Sequence, residues 1–118
     1  MTHFIDIARK AGEDSGQGAL WGVESHDLDC TLVAWPKGGG VDKHTNDEID
    51  VVMIVMEGRA LVELPGKDQQ LAQGQLLLIR KGTSRRIQAL SDRLVYLNVH
   101  KRRKLMSLTG IETFRDRT

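Results

Sequence analysis

His44, Glu48 and Asp50 recur at even spacing, so an extended chain places all three on one face. An imidazole and two carboxylates are nitrogen and oxygen ligands, and two or three of these with water can hold a divalent ion. Farther along stands Arg85, whose guanidinium keeps its proton near neutral pH, carries five donors and has no lone pair for a metal. It repels a neighbouring cation. A buried guanidinium without a partner would cost several kcal/mol, on the order of 3–5 where a pair is broken. Either Asp50 or Glu48 of the chain closes on it, or the carboxylate or phosphate of a small molecule docks there in bidentate fashion.

Other chemistries are narrowed by what the chain carries. His100 shares an alternating face with Leu94, Tyr96 and Asn98, and either joins His44 or caps its strand end. Cys30 is the single cysteine, which excludes an intrachain disulfide and a cysteine-based zinc cluster and points to a reducing compartment. It is expected as a small buried hydrophobe. Gly38-Gly39-Gly40 lacks the Lys-Ser/Thr of a phosphate loop and precedes a strand, and no nucleophile elbow occurs, although composition leaves a Ser-His-Asp triad open. Arg80, Lys81, Arg85, Arg86 and residues 101–104 are basic, but a net charge of +1 and 4% aromatic residues offer little for base stacking. No nucleic acid partner is expected.

The elements that must position these groups are short. A chain of 118 residues, 40% hydrophobic and 28% charged, suits one domain with one core, residues 1–118. Strand-length segments run at 19–24, 28–35, 50–57, 59–64, 75–80, 85–90 and 94–100, with glycines and polar turns between them. Val51 to Val55 is rich in β-branched residues, and Pro65-Gly66 suits the centre of a type II turn, predicting a hairpin from 59–64 into the next segment. The N-terminal segment, 1–18, holds Phe4, Ile7, Ala8 and Ala11 at helical spacing, a short helix ended by Gly12, then a loop to Gly18. The pattern predicts an all-β sandwich or barrel. No apolar run reaches the roughly 18 residues needed to span a bilayer, and the start is not a secretory leader, so a cytoplasmic protein with no membrane partner is expected.

Between Gly38 and Ala89 the chain resembles the cupins, whose two motifs read G-x5-H-x-H-x(3,4)-E-x6-G and G-x5-P-x-G-x2-H-x3-N. Gly38 leads to His44, Asn46, Val51 and Gly58 at the first motif's spacing, and Gly74 leads to Arg80, Gly82, Arg85 and Ala89 at the second's. The phrases VMEGRALVELPG and LAQGQLLLIRKG follow in the right order. The resemblance implies a cupin-type jelly-roll, or double-stranded β-helix, barrel. It also implies a divalent ion held by two histidines and the glutamate of the first motif and the histidine of the second, of which only His44 remains. Asn46, Val51 and Arg85 occupy the other three positions, so no metal cofactor is expected. The weaker alternative takes three residues before the acidic position, making His44 and Asp50 the ligands, with a β-bulge absorbing one extra residue before Gly58.

The expected function is a small-molecule binding or sensing module in which Arg85 supplies the positive charge an ion supplies in the relatives. Its ligand-binding set is His44, Asn46, Asp50, Met53 and Arg85, with Met53, Met56 and Trp35 as apolar core or wall. The alternative is an enzyme, metal-dependent through His44 and Asp50, or metal-free with His44 as general base and Arg85 stabilising an enolate. A structural dimer unit with a vestigial pocket is the third reading. Cupins pair barrels through edge strands, which implies a homodimer, and the C-terminal tail, 101–118, carries Leu105, Met106, Leu108, Ile111 and Phe114 at roughly helical spacing to cover a surface.

Overall fold

The short apolar runs and the glycines between them fold into antiparallel strands, as the computed structural model of residues 3–102 shows. After helix α1 (Ile7–Glu13) come β1 (Gly18–Glu24), β2 (Leu28–Pro36), β3 (Gly40–Thr45), β4 (Val51–Glu57), β5 (Arg59–Glu63), β6 (Gln69–Ala72), β7 (Leu76–Ile79), β8 (Ser84–Ala89) and β9 (Arg93–Lys101). One sheet has the order β1-β2-β9-β4-β7 and the other β3-β8-β5-β6. Every pairing described is antiparallel. The expected all-β architecture is therefore present, with β3 and β6 as the strands that follow the glycine triplet and the Pro65-Gly66 turn. That turn closes with the Lys67 amide donating to the Leu64 carbonyl at 3.3 Å, and Gly66 has φ +79°, as its type requires. The tail residues Arg103, Lys104, Leu105, Met106, Leu108, Ile111 and Phe114 lie outside the described residues.

The helix departs slightly from expectation. Asp6 caps it by accepting from the Arg9 amide at 3.1 Å, and it runs past Gly12 to Glu13, where the Asp14 amide donates to the Lys10 carbonyl. An exposed glycine in the last turn costs only about 1 kcal/mol, which the helix offsets by burying Ala11 on the sheet. Ala11, Ile5 and Ile7 cover Leu32, Ala34 and Val95 on the outer face of the five-stranded sheet, and Met56 packs there too. No helix of the described residues is long and apolar enough to cross a membrane.

The inner faces of the two sheets make the main core. Val33, Met53, Val55, Leu94 and Tyr96 from the larger sheet meet Ala60, Val62, Leu71, Ile87 and Ala89, with Trp35 packed against them. Tyr96 is wholly buried, and its hydroxyl accepts from the Trp35 indole N–H at 3.0 Å, so both polar tips are matched inside the core. Burial pushes the Tyr96 phenol up to about 12, above the ordinary tyrosine value near 10. The unfolded chain then ionises first as pH rises, so stability is full below pH 10 and falls between 10 and 12 by about 2–3 kcal/mol. Tyr96 is the only tyrosine. Absorbance at 295 nm is expected to show almost no tyrosinate at pH 10.5 in the folded protein and about three-quarters ionisation on adding urea at the same pH.

Candidate functional site

Toward one end of the barrel the inner face turns polar. On β9 the inward series Leu94, Tyr96, Asn98, His100 passes from apolar to polar, and β2 runs the opposite way with Asp29, Thr31, Val33, Trp35. Their register sets Asn98 between Thr31 and Met53, and His100 between Asp29 and Val51. Asp29, Thr31, Asn98 and His100 are all buried. His100 thus faces inward with the core and is not a strand-end cap at the surface. Its Nδ1 donates to the Lys101 carbonyl at 2.8 Å.

The smaller sheet supplies the opposite wall. Val41 pairs with Ile87 and His44 with Arg85, three steps along β3 against two along β8, so β3 carries a bulge. The extra residue turns His44 rather than Lys43 to the inner face, beside Arg85. Arg85 is 1% exposed and donates to the Thr83 carbonyl at 3.3 Å. Nδ1 of His44 lies 2.9 Å from the Asp42 carbonyl oxygen, so Nδ1 carries the proton and Nε2 holds the lone pair in the neutral ring. The Nε2 atom is buried with no hydrogen-bond partner, as are Oγ1 of Thr31 and Nδ2 of Asn46.

The even spacing of His44, Glu48 and Asp50 does not place them on one face. Asn46 breaks the extended run, because its side-chain oxygen accepts from the amides of Glu48 at 2.9 Å and Ile49 at 3.3 Å. Glu48 and Asp50 are exposed, and the Asp50 carboxylate accepts from the Lys81 amide at 2.8 Å. The Gly82 amide donates to the Asn46 carbonyl at 2.7 Å, so the turns after β3 and after β7 are fastened to each other. Gly82 has φ +83°, which a side chain resists. The inward residue at the acidic position of the motif is Val51, the four-residue spacing. A bulge before Gly58 does occur, between Val55 and Glu57, but it leaves Asp50 outside.

The structure therefore brings His44, Arg85 and Met53 to the polar end, keeps Asn46 buried in the turn at its rim and sets Asp50 apart. Asp29 and Thr31 were missed in the sequence, although a polar-to-apolar gradient at alternate positions of 28–35 mirrors that of 94–100. Cys30 is half-buried rather than buried, on the opposite side of β2 from Asp29; burial, and then the Asp29 carboxylate, push its thiol pKa up. A thiol so held is a poor nucleophile. The residues do not fit the ion that the resemblance implies. Asn46 has its oxygen engaged by two amides, Val51 has no donor atom, and Arg85 brings a fixed positive charge. Among the described residues no three His, Cys, Asp or Glu side chains are grouped to hold a metal.

Two antiparallel sheets closed around an interior that is apolar at one end and polar at the other form the double-stranded β-helix of the cupins. The chain is similar to a cupin-2 domain protein from Shewanella frigidimarina, with TM-score 0.70 and 22% identity over 83% of this chain and 94% of that one. An RmlC-like cupin from Methanocaldococcus jannaschii gives TM-score 0.61 and 20% identity over 67% and 73%. KdgF from Halomonas gives 0.65 and 22% over 70% and 76%. By sequence the chain matches no protein family and no curated protein.

Asn46 supports the two fastened turns, so Asn46→Ala is expected to lower stability by about 1–2 kcal/mol, the loss of two side-chain caps on backbone amides. Urea unfolding measures it, and Asn46→Asp, which keeps the acceptor, should lose less.

Proposed function

We propose that this chain is a cytoplasmic small-molecule binding or sensing protein that receives an anionic ligand in the polar end of the barrel without a metal cofactor. The observation that supports this most is the buried guanidinium of Arg85 paired across strands with His44, whose Nε2 is buried without a hydrogen-bond partner. A guanidinium is the planar, permanently charged group that recognises a carboxylate or phosphate. Asn46 and His44 stand close in sequence to give a second polar contact, and Met53 gives apolar wall. Asp50 has no part in this reading, because its carboxylate is spent on the Lys81 amide.

A metal-free enzyme is the second reading, and one observation favours it. With Nδ1 of His44 fixed on the Asp42 carbonyl, Nε2 is free to take a proton, while Arg85 would stabilise an enolate forming beside it. Turnover of a bound acid, absent in His44→Ala with binding retained, separates this reading from the first.

The homodimer belongs to the proposal too. Strand β7 is a sheet edge that pairs with β4 alone, and its Leu76 and Leu78 are 58% and 52% exposed. An edge without charge or proline invites a second strand. Light scattering at micromolar concentration is expected to give a dimer, and Leu78→Lys a monomer. A wild-type monomer would refute the dimer.

The ligand is tested by thermal shift with organic acids and sugar phosphates. At least one anion is expected to raise the melting temperature of the wild type, unchanged by prior treatment with EDTA. Arg85→Met should cost roughly 2–5 kcal/mol of that binding. If no anion stabilises the wild type and Arg85→Met only loses folding stability, Arg85 is a structural residue and the reading fails.

A further inference from the structure

We infer that the C-terminal segment, residues 103–118, folds back over the outer face of the five-stranded sheet and covers the apolar surface that runs from Cys30 to Leu78. The sequences of β4 and β7 call for such a cover. VVMIVM and LLLI are continuous apolar runs rather than alternating ones, the pattern of strands buried on both faces. Their inward residues Val51, Met53, Val55 and Ile79 are buried. Their outward residues are not, since Leu76 and Leu78 are exposed and Val52 and Ile54 only half-buried.

Strand register joins these residues into one surface. Leu78 pairs with Val52, Val52 with Val99, Val99 with Cys30 and Cys30 with Val23, so a row of apolar side chains and the Cys30 thiol crosses all five strands. The next row runs Leu76, Ile54, Leu97, Leu32 and Trp21. Helix α1 covers only part of this face. Leu32, Leu97 and Trp21 pack with it, whereas Cys30, Val52, Ile54, Leu76, Leu78 and Val99 belong to neither apolar core. A contiguous apolar patch of this kind marks a surface that another element covers.

The chain itself supplies the occupant. β9 ends at Lys101 and the Arg102 amide donates to the Asp27 carbonyl at 2.8 Å, so the chain leaves the sheet three residues beyond Val99, about 10 Å along the strand. Residues 103–118 follow, with Leu105, Met106, Leu108, Ile111 and Phe114 between basic residues at either end. The patch is about 14 Å across from β2 to β7, and a segment of that length reaches about 24 Å even as a helix. A second copy would bury the same side chains, but a tethered segment acts at an effective concentration near millimolar, which a free protein at micromolar concentration does not match. The backbone edge of β7 stays open to the dimer, because the segment lies on side chains.

Cys30, the only cysteine, reports on the patch. The full-length protein is reacted with a maleimide under native conditions, beside the double variant Leu108→Asp, Ile111→Asp, whose segment no longer suits an apolar surface. The thiol is expected to react about tenfold faster or more in the variant, with the far-ultraviolet circular dichroism unchanged. In the reverse direction, Ile54→Asp alters the patch and should speed tryptic cleavage after Arg103 and Lys104 by a similar factor. Equal rates in wild type and variant in either assay overturn the inference. Protection of Cys30 that is lost on dilution and is indifferent to the segment variant assigns the patch to a second copy, and overturns it as well.

Discussion

A guanidinium that is 1% exposed sets the terms for its end of the barrel. Taking that charge out of water costs several kcal/mol unless polar groups surround it. The inward positions of β2 and β9 answer with Asp29, Thr31, Asn98 and His100, all buried, whereas the opposite end of the same two strands presents Val33, Trp35, Leu94 and Tyr96. The gradient along two paired strands is thus one feature, read twice in antiparallel register. The apolar end holds the sheets together, and the polar end gathers the buried polar side chains.

Which residue stands beside Arg85 is decided by the β3 bulge. Without the extra step between Val41 and His44, strand alternation would point Lys43 inward, beside a guanidinium. Two like charges there would repel. With it, the imidazole arrives, and the frame behind it is made stiff by the bonds from Gly82 to Asn46 and from Lys81 to Asp50. Both turns come from glycine- and asparagine-containing stretches that also carry the motif spacing, so the residues that define the motif hold the site from behind as well as line it.

How far the sequence reached follows from the range of each signal. The seven expected strands and the Pro65-Gly66 turn were legible because alternation, β-branching and turn chemistry act within a few residues. The glycine spacings around His44 and Arg85 carried the fold. What was not legible depended on competition between local hydrogen bonds and the strand ladder. Asn46 followed by Asp47 favours a turn over continued extension, and that turn removed Glu48 and Asp50 from the face of His44. The bulge in β3 leaves no comparable mark in DKH, since it is fixed by pairing with β8. Asp29 and Thr31 are recognisable only once β2 is known to lie against β9.

His44 stands at the one position where this sequence matches a ligand of the cupin motif. A histidine whose Nδ1 donates to a backbone carbonyl is oriented so that Nε2 projects its lone pair forward, the same device that aims a metal-binding imidazole at its ion. Here that lock persists, but the group opposite is a guanidinium bound covalently to the protein. The positive charge can no longer dissociate or polarise a coordinated water, and it cannot accept the imidazole lone pair as a metal would. Charge attraction and lone-pair donation, which a metal combines in one atom, are therefore split between Arg85 and His44.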